Sequence, residues 1–261
     1  MQSPIKTLGI LGGKGMLGGD LARFFSSSGV AVDAIDRDNY ESFKGKSYDA
    51  LINANGNSKR FWANEHTLED FAASTESVYR SLLDFEFGTY VYISSSDTYP
   101  DHRTPTTTKE DQAIDPALLS PYGFHKYLSE QIVRNRAKSF LIFRSSLILG
   151  SALKKGPIYD IVMGNQLFIT LDSRLQAITT EAAGGAIEAV LESSAKNIIY
   201  NMGGRGVFPL SRAGEYFGKT PQVSLEAKTQ EYEMDVSRLS TLYQLKTSEE
   251  YIRDFISEHH G

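Results

Sequence analysis

Cysteine is absent from the chain, which excludes disulfides and thiolate metal ligands. The five histidines, His66, His102, His125, His259 and His260, show no spacing that would gather them around a metal ion. No apolar run reaches the roughly 18 residues of a membrane span. The opening segment up to Gly13 is too rich in glycine, and its apolar run too short, for a secretory leader. Charge of one sign is nowhere concentrated: 27 lysines and arginines against 32 acids give a net charge of −5. Nucleic acid and anionic membrane are therefore not expected partners. Internal repeats and low-complexity tracts are also missing. A cytoplasmic protein is the default expectation, and 261 residues, 41% of them hydrophobic, suffice for a full core.

What is present is an alternation of short apolar runs with longer stretches of helical period. Leu8–Leu11, Val30–Ile35, Ala50–Asn53, Thr89–Ile93 and Phe140–Phe143 read as buried strands. Leu17–Ser27, Leu68–Phe85 and Pro121–Ala137 read as the helices between them, the second mostly core through Phe71, Val78, Leu82 and Phe85. Such alternation predicts an α/β fold with a doubly wound parallel sheet, because each parallel neighbour needs a crossover. After Gly150 the periodicity loosens at the Gly156-Pro157 break. Glu181–Ser193 reads as a helix, Ile198–Asn201 as a strand and Ser248–His259 as a final helix. The expected division is a dinucleotide-binding domain of residues 1–150 and 177–203, with a small substrate lobe of residues 151–176 and 204–261.

Glycines stand at 12, 15 and 18, after the first strand and at the start of the first helix, in a Rossmann-like setting. A turn of this kind lets backbone N–H groups approach a pyrophosphate, and the helix N-terminus adds partial positive charge. Gly12, Gly15, Met16, Leu17 and Gly18 are the expected phosphate contacts. Asp36 ends the second strand, where a carboxylate accepts the adenosine ribose hydroxyls, which favours NAD. Arg37 beside it suits a 2′-phosphate, so NADP stays open.

Ser120-Pro121 reads as a cap and first turn, which places Tyr122 and Lys126 at i, i+4 on one helix face. From that position the ammonium is expected to stabilise a phenolate and lower the tyrosine pKa from its usual value near 10. Such a tyrosine exchanges a proton with a carbinol while a nicotinamide exchanges hydride. Upstream, Val91 to Ser96 carries a strand into three serines at the carboxyl edge of the sheet, one of which is expected to bond the reacting oxygen. His125 points about 100° away from Lys126 and reads as a surface or supporting residue. Asp97 reads either as an auxiliary acid or base or as a turn cap.

At these residues the chain resembles the extended short-chain dehydrogenase/reductases of the NAD-dependent epimerase/dehydratase family. The resemblance rests on the three glycines, Ile93 to Tyr99, Tyr122-x-x-x-Lys126 with Glu130, Phe143-Arg144 through Gly150, Tyr200 to Gly204 and Asp235 to Leu239, all in the family's order. It maps the catalytic hydroxyl to Ser95, four residues before Tyr99. It implies a nucleotide-sugar substrate, a homodimer formed through the helix predicted over Leu68–Phe85, and either epimerisation or 4-ketoreduction. Ser96-Asp97 stands where family dehydratases carry two acids, so elimination of water is disfavoured. Asn53, Ala54 and Asn55, within an amide-rich run to Asn57, occupy the family's small-residue cofactor contact. Ser96, Asp97, Arg174 and Arg205 are the candidate substrate contacts, although Arg174 falls one place early for the family's pyrophosphate arginine. A reductase of a non-nucleotide substrate and an idle dinucleotide-binding module remain the rival readings.

Overall fold

The computed structural model describes residues 5–56, 60–218 and 220–260. In chain order the first half runs β1 (Thr7–Leu11), α1 (Met16–Ser27), β2 (Ala31–Ile35), α2 (Tyr40–Phe43), β3 (Ser47–Asn53), α3 (Arg60–Glu65), α4 (Thr67–Phe71), α5 (Ser77–Asp84), β4 (Glu86–Ser95), α6 (Pro121–Arg136) and β5 (Phe140–Ser145). The second half runs β6 (Leu147–Leu149), α7 (Pro157–Met163), β7 (Gln166–Ile169), β8 (Arg174–Leu175), β9 (Ala177–Thr179), α8 (Thr180–Glu192), β10 (Ile198–Met202), β11 (Phe208–Pro209), α9 (Ala213–Phe217), β12 (Gln222–Lys228), α10 (Ser237–Ser240) and α11 (Ser248–His260).

Six strands form one parallel sheet in the order β10-β5-β4-β3-β1-β2. The doubly wound α/β expectation holds, and its cause is visible strand by strand. Val91 and Ile93 enter one core with Leu8, Ile10, Ile52, Leu21 and Phe25. Tyr90 and Tyr92, one residue out of phase, enter the core on the opposite face with Leu51, Val78 and Val133. A strand with side chains buried on both faces needs helices on both. Strand order reverses between β1 and β3, and ligands of such sheets bind outside the carboxyl ends of the strands at that switch point.

The helix expected over Leu68–Phe85 is interrupted. Between α4 and α5 the residues Ala72–Glu76 form a π-helical turn, in which Ser74 bonds Asp70 O and Thr75 donates to His125 O at 3.2 Å. One extra residue in the turn displaces the apolar stripe. Val78 and Phe85 are buried and Leu82 packs against them, but Phe71, expected in the core, is 39% exposed. A third core, including Leu149, Ile158, Leu167, Leu175, Phe208, Ile252 and Phe255, lies among α7, β7, β8, β11 and α11. The tail is shared between cores, since Val236, Leu239, Leu245 and Tyr251 pack against the main sheet side.

Candidate active site

The chain leaves β1 into a turn that only glycine satisfies. Gly12 has φ +81°, and both Gly12 N and Gly13 N donate to Ile35 O, at 2.8 and 3.0 Å. A Cβ on Gly18 would overlap Gly12 O, so α1 seats directly against the turn. Gly15 occupies the N-cap without any side-chain cap, and the first turn of α1 carries no acid. Its leading N–H groups are thus left to an anionic ligand. Asp36 follows β2 and pairs with the exposed Lys14 at 2.9 Å. That ammonium holds its carboxyl below the usual range. Arg37 is exposed.

Across the switch point the residues after β3 behave unequally. Asn53 turns inward: its amide donates to the Tyr90 hydroxyl at 2.8 Å, and its oxygen accepts Asn55 N at 3.0 Å. Its side chain is buried and engaged within the protein. Ala54 and Asn55 do face it, for a Cβ on Gly12 would meet Ala54 O and Asn55 N at 3.1 Å. Asn57 lies outside the described residues. The closely seated turn, the uncapped helix and the carboxylate beyond β2 fit a dinucleotide.

The opposite wall is α6. Ser120 caps it by accepting Gly123 N at 3.2 Å and Pro121 follows, as the sequence predicts, and Arg134 and Arg136 lie in its last turn. Tyr122 and Lys126 are both buried. Lys126 donates to Ile93 O at 3.1 Å and lies 5.1 Å from the Tyr92 ring centre. Burial lowers its pKa to about 8, against the opposing pull of Asp70 and Glu130. The expected lowering of the tyrosine is reversed. Burial first, then the Asp97 charge, pushes Tyr122 well above its ordinary value, while a hydrogen bond with Ser95 and the Arg60 charge pull less strongly the other way. The ammonium is turned to Ile93 O and gives the phenol no such help.

Ser95 ends β4 and donates to Asp97 Oδ2 at 2.9 Å, while Asp97 N donates back to Ser95 Oγ at 3.2 Å. The cap of this turn is therefore Ser95 and not Asp97, whose carboxylate stands beside the Ser95 hydroxyl. Ser96 is buried in the short 3₁₀ turn. Beneath this rim the motif residues form a frame. Ser94 donates to Glu130 at 2.6 Å, Arg144 pairs with the other Glu130 oxygen at 2.7 Å, and Tyr99 donates to Asn201 at 2.8 Å. His125 is not on the surface: it is buried, with Nδ1 at 2.7 Å from Asp70 Oδ2. Arg174 is exposed, and its backbone pairs with the segment carrying Gln230 and Tyr232. Arg205 is bound to the Leu245–Ser248 turn through its own Nε and backbone, not to the serine rim. Arg60, on which no sequence pattern falls, reaches Asp97 at 3.0 Å.

A glycine turn at the switch point of a parallel sheet, faced by serine, tyrosine and lysine, defines a nicotinamide-dependent enzyme of the short-chain dehydrogenase/reductase type. The chain belongs to the NAD dependent epimerase/dehydratase family, whose profile matches residues 8–155, more than half of its length. Solved structures share the fold across 97% or more of the chain. A UDP-galactose 4-epimerase aligns at TM-score 0.77 and 17% identity, covering 97% of this chain and 99% of that one. A dTDP-4-dehydrorhamnose reductase from Bacillus anthracis in complex with NADP aligns at 0.78 and 15%, covering 99% and 100%. A UDP-glucuronic acid 4-epimerase from Bacillus cereus, in complex with UDP-glucuronic acid and NAD, aligns at 0.72 and 15%, covering 97% and 99%. No curated protein matches the chain. Among the described residues no helix is long and apolar enough to cross a membrane.

Proposed function

We propose that the protein is a nucleotide-sugar epimerase or 4-ketoreductase in which Tyr122 moves the proton, Ser95 bonds the reacting oxygen and Lys126 holds the nicotinamide ribose. The observation that carries this reading is the placement of Ser95, at the end of β4, and of the buried Tyr122 and Lys126, on the first turns of α6, at the carboxyl edge of the sheet across from the glycine turn. A bound nicotinamide supplies or takes the hydride. Tyr122, held in its phenol form by burial, would donate its proton to a carbonyl oxygen as a ketone is reduced and take one back as a carbinol is oxidised, so it serves either reaction. Gly12, Gly15, Met16, Leu17 and Gly18 would cradle the pyrophosphate, and Ala54 and Asn55 would line the facing edge. Asp36 would accept the ribose hydroxyls, which favours NAD; Arg37 is the group that would receive a 2′-phosphate. A nicotinamide cofactor and a nucleotide-sugar substrate would favour a cytoplasmic location.

We assign residues 1–150 and 177–203 to the dinucleotide-binding domain and 151–176 and 204–261 to the substrate lobe, a division supported by the third core, which the lobe mostly supplies, while Val236, Leu239, Leu245 and Tyr251 of the lobe pack with the main sheet. Ser96, Asp97 and Arg174 would meet the sugar nucleotide at the cleft; Arg205 has the weakest claim, its guanidinium being held by Leu245 O. Replacement of Tyr122 with Phe is expected to lower kcat by about 10²–10⁴-fold while dinucleotide affinity stays nearly unchanged. Equal loss of both would make the tyrosine structural. A homodimer is supported by the exposed apolar residues Leu68, Phe71, Tyr79 and Leu83 on α4 and α5. Sedimentation should show a dimer that Leu83→Glu dissociates; a wild-type monomer would refute it.

A further inference from the structure

Arg60 begins α3, and its guanidinium reaches two other parts of the chain. Nη1 donates to Asp97 Oδ1 at 3.0 Å and to the Tyr232 hydroxyl, and Nη2 donates to Gln230 Oε1 at 3.2 Å. The guanidinium also lies 5.0 Å from the centre of the Tyr232 ring, which stacks on His102 at 4.1 Å. Asp97 accepts the Tyr232 hydroxyl at 3.2 Å on the oxygen that faces Arg60, and the Ser95 hydroxyl at 2.9 Å on the other. Arg60 thus joins the serine rim to the segment of residues 230–232, which is itself anchored by Arg174 N to Gln230 O and by Tyr232 N to Arg174 O, both at 2.9 Å.

We propose that Arg60 is a positioning residue of the active site: through Asp97 it fixes the Ser95 hydroxyl beside Tyr122, and through Gln230 and Tyr232 it ties the substrate side of the cleft to that rim. The proton-transfer role of Tyr122 is the reading on which this rests. The Asp97 side chain is mostly covered, at 13% exposure. Without Arg60 its charge would stand uncompensated beside the tyrosine and oppose any developing phenolate. The groups that act on Tyr122 are Asp97 and Ser95 from the rim, Arg60 from α3 and Asp70 from α4, with Lys126 one turn along α6 and Tyr92 beneath. Of the four that act from other elements, Arg60 is the one cation. Lysine cannot replace it fully, because a point charge lacks the planar fork that bonds Asp97 and Gln230 together.

The test uses the full chain loaded with dinucleotide, in wild-type form and as Arg60→Gln, Arg60→Lys, Asp97→Asn and the double variant Arg60→Gln/Asp97→Asn. Amide hydrogen exchange needs no turnover. Arg60→Gln is expected to speed exchange in residues 96–99 and in residues 230–233, whereas Arg60→Lys keeps the first segment protected and releases the second. Unchanged exchange in both segments of Arg60→Gln overturns the proposal, whether or not a substrate has been found. The pH profile then reads the charge. Arg60→Gln is expected to lower kcat about tenfold and move the limb that depends on tyrosine ionisation to higher pH, and the double variant, with both charges gone, to return it. A double variant as slow as Arg60→Gln, with the limb still displaced, overturns action through Asp97. If no nucleotide sugar turns over with the wild type, the functional reading falls, and the exchange result alone decides the tie.

Discussion

At position 126 a lysine is buried where its chemistry is needed and its charge is unwelcome. Desolvation brings its pKa from 10.5 down to about 8, so an ammonium at neutral pH is held against its environment. That costs on the order of 3 kcal/mol, less about 1 kcal/mol regained through the bond to Ile93 O. Lys126→Met should therefore abolish turnover and stabilise the fold by about 2 kcal/mol at pH 7, some 4–8 °C in Tm. The sign follows from a folded pKa below the unfolded one: the cost is fully present below pH 8 and disappears as pH rises toward 10.5. Melting curves of both proteins across that range should converge, and curves that stay parallel would show that the ammonium carries no such cost. The placement of Lys126 one helical turn after Tyr122 was legible because a lysine four residues after a tyrosine, behind a Ser-Pro cap, is a local pattern. The direction of the Tyr122 pKa was not. It is set by burial first and by the Asp97 charge next, and both arise only with the fold.

Between elements the frame rests on one buried ion pair. Arg144 of β5 and Glu130 of α6 are 3% and 0% exposed at their side chains, and Ser94 of β4 donates to the same carboxylate. Arg144→Met would leave Glu130 charged and without its cation, a loss of about 3–5 kcal/mol in urea unfolding. Arg144→Met/Glu130→Met should recover most of it, because the pair is expensive to break and cheap to replace. If the double variant is no more stable than the single one, packing rather than charge holds this junction. Strands and helices near the site were legible by period, and β4 grew beyond its predicted start because Glu86-Phe87-Gly88 carries no apolar alternation. The π turn at Ala72–Glu76 was hidden, since its cause is tertiary: Thr75 bonds the backbone of α6. The inward hydrogen bonds of Asn53, to Tyr90 and Ser81, were hidden for the same reason.

For the molecule as a whole, the two halves of the site reach the cleft by different routes. The glycine turn and the Tyr122-Lys126 face are each encoded within a few residues, and a parallel sheet brings their strand ends to one edge. The side proposed to meet substrate gathers Arg60, Asp97, Gln230 and Tyr232, separated by up to 172 positions, so no window of sequence contains it. The central claim is that this edge holds a nicotinamide dinucleotide beside Tyr122. Its most direct measurement is to denature the purified protein, identify any dinucleotide released together with its redox state, and titrate the emptied protein with NAD(H) and NADP(H). One dinucleotide per chain, preferably NAD, with binding lost in Gly18→Ala, is the predicted result; a folded protein that releases none and binds neither would contradict the account.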